Sequence, residues 1–307
     1  MRPLRVGIAI DDPRTVVADA QRAEELGFDL VGCGEHLFFH GPTPNAFVML
    51  AAAAAVTTRI RLVTSIALLP LYPAVMVAKL AAMIDNISAG RFELGLGAGG
   101  EYPAEFEAAG VDPATRFRRM DEGLEVIRRL FSGGSVSFDG EYCSLSGVTL
   151  DPPPSHGGAP PIWLGGRKLG AIRRAGRYAD VWMPYMVEPT QVRDGLARAR
   201  EVATVHGRTE DAVSAALFAW TAVETDAARA RRTGVAAVSA AYRQDFSSLA
   251  DRYLLTGGPD EVADRLAEFA EAGVDTVLCQ VAAENPSDRE RIISTLAQSV
   301  LPKVQQL

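Results

Sequence analysis

The chain has 307 residues, 48% of them hydrophobic and 22% charged, with a formal net charge of -7. The apolar fraction excludes a wholly disordered chain, and the acidic balance excludes a broad nucleic-acid surface or a general attraction to an anionic membrane. Cys33, Cys143 and Cys279 lie far apart without a CxxC pair, so neither a zinc knuckle nor a disulfide framework is expected, and a reduced, cytoplasmic protein is.

The first apolar run, 6–10, ends in Asp11-Asp12 and is too short for a signal peptide. The greasiest stretch, 74–84, is interrupted by Lys79 and falls short of the roughly 20 residues that cross a bilayer. Strands are predicted at 5–10, 30–33, 60–69, 92–97, 161–165, 180–183, 213–223 and 274–281, mostly as continuous apolar runs of the kind that parallel strands covered on both faces require. Helices are predicted at 15–26, 46–57, 73–88, 116–131, 168–177, 189–205, 225–241, 259–272 and within 286–304. In 116–131, Met120, Leu124, Ile127 and Phe131 form one stripe, and Pro259 and Gly273 bracket 259–272 as start and stop. Eight strands, each followed by a helix, predict an α/β protein with the (β/α)8 barrel fold, a single domain over 1–307; a doubly wound open sheet gives a similar alternation.

Two regions break the rhythm. Between the fourth and fifth strands, 132–160 holds Asp139-Gly140 between two β-rich runs and then Pro152-Pro153-Pro154, which reads as an inserted hairpin and a stiff return. Residues 242–258, after the seventh strand, read as a mobile loop or short helices.

The chemistry-bearing motifs follow strand ends, where barrels draw their site residues. Glu35-His36 follows the second strand and offers an imidazole for acid or base work near neutral pH. His36 and His40 are four apart, but EHLFFH lacks the order of a zinc protease motif, and no metal site is expected. Residues 95–100, GLGAGG, match the GxGxxG pattern literally, yet follow the fourth strand and lead into Glu101-Tyr102-Pro103; a rim loop close to a flat ligand fits better than a dinucleotide fold. Gly165-Gly166-Arg167-Lys168 combines exposed backbone N–H groups, a helix start and cations, which suits phosphate. Gly257-Gly258-Pro259-Asp260 is a weaker version of the same signal. Asp11-Asp12 reads as a solvated turn before a helix.

Together, AEELGFDLVGCGEH (23–36), 57–100, RFRRMDEGLEVIRRLF (116–131), FDGEYCSLSGVTLDPPP (138–154), PPIWLGGR (160–167) and AGRYADVWMP (175–184) resemble, in order, the bacterial luciferase-like flavin/deazaflavin oxidoreductase superfamily. The resemblance implies a (β/α)8 barrel using coenzyme F420 or FMN. It places Glu35-His36 where the F420-dependent, methylene-tetrahydromethanopterin reductase-like branch usually has Asp-His beside the reactive ring. It implies a bulge with a non-prolyl cis peptide at Ser65-Ile66 backing that ring, backbone lining from Gly97, Ala98 and Gly99, and phosphate contacts from Gly165, Gly166 and Arg167. Where the family often has Trp, or Glu in its sugar-phosphate dehydrogenases, this chain has Gly100, with Glu101 one step later, so a second catalytic acid is left open.

The expected reaction is hydride transfer between F420, or alternatively FMN, and a small organic substrate. His36 handles the proton, Glu35 tunes it, and Phe38, Leu71, Tyr102 and Trp182 contribute to an apolar pocket wall. An FMN enzyme of this kind would be a monooxygenase with a separate flavin reductase as partner. A barrel that binds the cofactor without turnover is the reading of another class. A homodimer packed on the small residues of 46–55 is a further expectation, with burial against the barrel as its equal alternative.

Overall fold

The computed structural model describes residues 3–155 and 158–306. It begins with β1 (Arg5–Ala9), α1 (Val16–Glu25), β2 (Leu30–Cys33) and α2 (Ala46–Val56). The third expected strand is split into β3 (Arg61–Thr64) and β4 (Ala67–Leu68), followed by α3 (Ala74–Ile87), β5 (Phe92–Gly97), α4 (Pro103–Ala108) and α5 (Arg116–Phe131). The hairpin strands β6 (Val136–Asp139) and β7 (Ser144–Val148) precede β8 (Ile162–Gly165), α6 (Leu169–Tyr178), β9 (Val181–Met183) and α7 (Pro189–Val205). Then come β10 (Ser214–Val223), α8 (Ala227–Tyr242), α9 (Ala250–Tyr253), β11 (Leu255–Gly257), α10 (Pro259–Glu271), β12 (Val274–Val281), α11 (Pro286–Thr295) and α12 (Leu301–Val304).

Eight strands pair in parallel in the order β1, β2, β3, β5, β8, β9, β10 and β12, and β12 pairs back onto β1. The (β/α)8 barrel is closed, and the open-sheet alternative is excluded. The antiparallel hairpin β6–β7 sits between the fourth and fifth barrel strands, as Asp139-Gly140 predicts; residues 156 and 157 of the 132–160 stretch lie outside the described residues. The 242–258 zone needs correction. It holds the short helix α9, and also β11, which extends the sheet in parallel beside Thr221–Val223 of β10.

Two apolar layers follow from strand parity. Leu30, Val63, Trp163, Val181, Met183, Ala216 and Leu278 fill the barrel interior. The alternate positions face the helices, where Trp182 joins the larger outer core with Leu196 and Ala199 of α7. Each fully buried aliphatic side chain contributes about 1.5–3 kcal/mol. Inward glycines make room for the few large inner residues: a Cβ on Gly32 would collide with the Leu278 side chain. At the N-terminal ends of the strands, Arg61 and Arg5 both pair with the buried carboxylate of Glu93. Ala46, Ala53 and Ala54 of α2 are buried within the chain, so these alanines are used in packing the barrel. Among the described residues, no helix is long and apolar enough to cross a membrane.

Candidate active site

The loop joining β2 to α2 carries Glu35 and His36, and their side chains part company. Glu35 is 7% exposed. Its Oε2 accepts from Asn45 Nδ2, the Ala46 N–H and the Tyr72 hydroxyl, each at 3.1 Å, and its Oε1 accepts from the Leu68 N–H at 3.2 Å. Burial raises its pKa, against the pull of these donors. Glu35 thus ties the loop to α2, β4 and Tyr72.

The carboxylate that touches His36 is Glu105, in the first turn of α4. His36 Nδ1 lies 3.1 Å from both Glu105 oxygens, and the Leu37 N–H donates to Oε2 at 3.2 Å. Glu105 is fully buried, while His36 keeps part of its surface open. The Phe39 ring stacks on His36 at 4.3 Å between centroids, and His40 packs edge-on to Tyr102. A carboxylate on one ring nitrogen fixes the imidazole and leaves the other nitrogen for acid–base work. Glu105 was not identified from the sequence. It lies between Glu101, which precedes α4, and Glu107, on α4 itself, and nothing in the sequence singles it out of the three.

Beside this pair, Leu37, Phe38, Phe39, Gly41, Pro42, Thr43, Tyr102 and Ala104 line a cavity of about 450 Å³ without a charged side chain. Phe38, 54% exposed, and Tyr102 are thus brought together on one cavity. Leu71 lies elsewhere, in a short 3-10 turn after β4, and does not line this cavity. Trp182 requires correction: it is 1% exposed and faces α7, since the parity of β9 turns it out of the barrel. Its indole N–H donates to the Gly166 carbonyl at 2.7 Å, so it supports the diglycine turn from behind.

The Ser65–Ile66 peptide is cis, as the resemblance implies. Ser65 Oγ is buried and has no hydrogen-bond partner among the described residues. Ile66 fills the space that a Cβ on Gly97 or Gly165 would need, so these two glycines serve the bulge directly. Ala98 is half-buried, and Gly99 and Gly100 adopt φ of 61° and 110°, which only glycine takes readily. The rim loop then enters α4, whose Phe106 packs beneath Gly99. Gly166 also has positive φ, 109°, and α6 starts two residues after the exposed Arg167. Arg167 donates to the Met186 carbonyl at 2.6 Å and lies over the Tyr185 ring, whose hydroxyl donates to Glu101 at 2.6 Å. Burial pushes the Tyr185 phenol up.

The remaining candidates separate. At Gly257-Gly258 the Glu261 carboxylate accepts from the Gly258 N–H at 2.7 Å and occupies the place an anion would take. Asp12 is held by Arg14, which lowers its pKa to about 2, and Asp11 accepts from Gln280. The three cysteines are free thiols, and burial pushes Cys33 and Cys279 up.

The closed barrel thus carries a glycine-lined mouth, a cis bulge after its third strand and a histidine–carboxylate pair on one rim. The luciferase-like monooxygenase family matches residues 3–276, and the chain belongs to it. Pyrimidine monooxygenase RutA of Escherichia coli (strain SMS-3-5 / SECEC) is 33% identical over 231 residues, 70% of this chain and 62% of that protein. The chain spans 59 to 62% of the length of the curated relatives it matches. Among solved structures, monooxygenase RslO1 from Streptomyces bottropensis has a TM-score of 0.85 at 28% identity, covering 97% of this chain and 99% of that one. The coenzyme F420 dependent tetrahydromethanopterin reductase from Methanopyrus kandleri has a TM-score of 0.81 at 21% identity, covering 98% and 99%, a likeness of fold.

Proposed function

We propose that the chain is an oxidoreductase that uses coenzyme F420 to exchange a hydride with a small organic substrate, with His36 handling the accompanying proton. The observation that carries this reading is the His36–Glu105 pair, whose histidine stacks on Phe39 of a cavity lined without a charged side chain, on the same rim as the glycine loop. The mouth fits a flat cofactor: Ser65 Oγ is a buried polar atom in want of a partner, and the Gly97–Gly100 loop presents backbone without side chains except at Ala98. Ser65, Ile66, Gly97, Ala98 and Gly99 would hold the ring, and Gly165, Gly166 and Arg167 the phosphate. The exposed cations Arg167 and Lys168 beside that turn favour a cofactor with a further anionic tail, as F420 has.

When bound, the deazaflavin supplies a two-electron hydride acceptor or donor. His36 takes the substrate's O–H proton in the oxidising direction and returns it in the reducing one, through the nitrogen that faces away from Glu105. Phe38 and Tyr102 orient an apolar substrate and exclude water. Glu35 maintains the loop that carries His36.

A second reading, an FMN-dependent monooxygenase served by a separate flavin reductase, draws support from the monooxygenase names of RutA and RslO1. Titration of the purified protein with F420 and with FMN, followed by quenching of each cofactor's fluorescence, decides between them. Saturable F420 quenching is expected. Binding of FMN alone would replace the first reading by the second, and binding of neither would overturn both. Loss of turnover in His36→Ala with cofactor Kd unchanged separates an enzyme from a passive cofactor carrier.

A further inference from the structure

We propose that Glu105 is the positioning residue of His36, holding the ring in its Nδ1–H tautomer so that the Nε2 lone pair is presented to the substrate; this rests on the assignment of His36 as the proton-handling group. Both Glu105 oxygens stand 3.1 Å from Nδ1, and Oε2 already accepts from the Leu37 N–H, so the carboxyl group faces Nδ1 as an acceptor and places the ring proton there. The neutral ring then has its acceptor at Nε2.

The carboxylate itself is fixed. Glu105 is fully buried, and the Leu37 N–H adds a second donor from the residue next to His36. The neighbouring Phe106 is also fully buried and lies against Gly99, whose missing Cβ would sit 3.2 Å from that ring. The helix that carries Glu105 is thus seated on the same glycine loop proposed to line the cofactor. One rigid connection relates the proton-handling nitrogen to the ring face, the distance relation that hydride and proton transfer within one substrate demands. Glu101, the nearer candidate in sequence, is engaged by Tyr185 instead.

The tautomer measurement needs neither cofactor nor substrate. The chain has four histidines, and His36 is assigned in long-range nitrogen–proton NMR spectra by comparison with His36→Asn. At alkaline pH wild type is expected to show His36 with the proton on Nδ1. Glu105→Gln, whose amide oxygen still accepts, is expected to retain that tautomer, whereas Glu105→Leu shifts the ring to the Nε2–H form that free imidazole side chains prefer. An Nε2–H signal in wild type overturns the proposal even if no variant folds, and an unchanged tautomer in folded Glu105→Leu overturns it equally. F420 affinity of both variants is expected to stay within about twofold of wild type, a difference below 0.5 kcal/mol. A tenfold weakening would make Glu105 a scaffold residue of the mouth. If wild type shows Nδ1–H yet binds no F420, the cofactor assignment fails while the positioning role stands.

Discussion

The indole N–H of Trp182 donates to the carbonyl of Gly166 at 2.7 Å, linking the outer core to the turn proposed to receive the cofactor phosphate. The ring edge packs against α7 where a Cβ on Gly195 would collide with it, so the bond has a rigid foundation. The bond turns the Gly166 carbonyl toward the outer core, at a residue whose φ is positive.

Trp182→Phe is expected to leave the Gly166 carbonyl unpaired at a cost of about 1–3 kcal/mol in stability. Loosening of the turn is expected to weaken binding of F420, or of FMN if that is the ligand, by roughly fivefold to tenfold, the equivalent of about 1 kcal/mol. Denaturant melts and fluorescence titration of the variant check the two effects separately. Unchanged affinity with reduced stability would confine Trp182 to packing.

Ile66 occupies the inner space left by Gly97, and the same side chain lies 2.8 Å from where a Cβ on Gly165 would stand. Gly97→Ala is therefore expected to destabilise the barrel by about 1–3 kcal/mol through overpacking. Shortening the obstructing side chain in Gly97→Ala/Ile66→Ala is expected to recover a large part of that loss, giving a coupling energy of about 1 kcal/mol or more in a double-mutant cycle. Additive effects would show that the added methyl meets something other than Ile66.

Most of the barrel was legible in the sequence because strands buried on both faces read as unbroken apolar runs, and α5 reads as a single stripe. The cis bulge at Ser65-Ile66 came through family resemblance, whereas the diglycine turn was read from its own glycines, helix start and cations. Parity was the obscure element. Trp163 and Trp182 stand in successive barrel strands with similar surroundings in sequence, yet Trp163 fills the barrel and Trp182 faces α7. One residue of register decides between the two faces, and composition does not report it. The three residues of β11 are too few for any periodicity. Glu105 was hidden for a related reason: Glu101 precedes α4 while Glu105 and Glu107 lie on it, and the sequence does not report which of the three turns toward His36.

Glu35 is a buried acid whose pKa is raised above its usual 4.5 by burial. An acid of this kind holds its proton more tightly in the folded chain than in the unfolded one. Its contribution is complete below 4.5 and declines as pH rises through the raised folded value, after which it is constant. Glu35→Gln removes that titration and also sets an amide N–H against a site built of donors, at about 1–3 kcal/mol. Wild type is therefore expected to exceed the variant in stability most at low pH, with the gap narrowing above 4.5. Chemical denaturation of both proteins from pH 4 to pH 8 (roughly the range in which a buried carboxyl titrates) measures the gap, and one that widens with pH contradicts this role.

Asp288 gives the opposite slope. It pairs with Arg291 and accepts from Arg229 at 3.2 Å and from Asn285 Nδ2 at 2.8 Å, and both arginines also reach the buried Glu224. The hydrogen bond from Arg291, above all, lowers the Asp288 pKa below its usual 3.8. A lowered folded pKa means the unfolded chain binds the proton first, so the stabilisation is present above 3.8 and is lost as pH falls through the folded value. Asp288→Asn keeps an acceptor for Arg291 but does not titrate. Its stability is expected to fall below wild type at neutral pH and to converge with it in acid, and adding salt is expected to shrink the neutral-pH difference as the arginines are screened. Parallel acid limbs for the two proteins would show that this network does not contribute to the acid sensitivity of the fold.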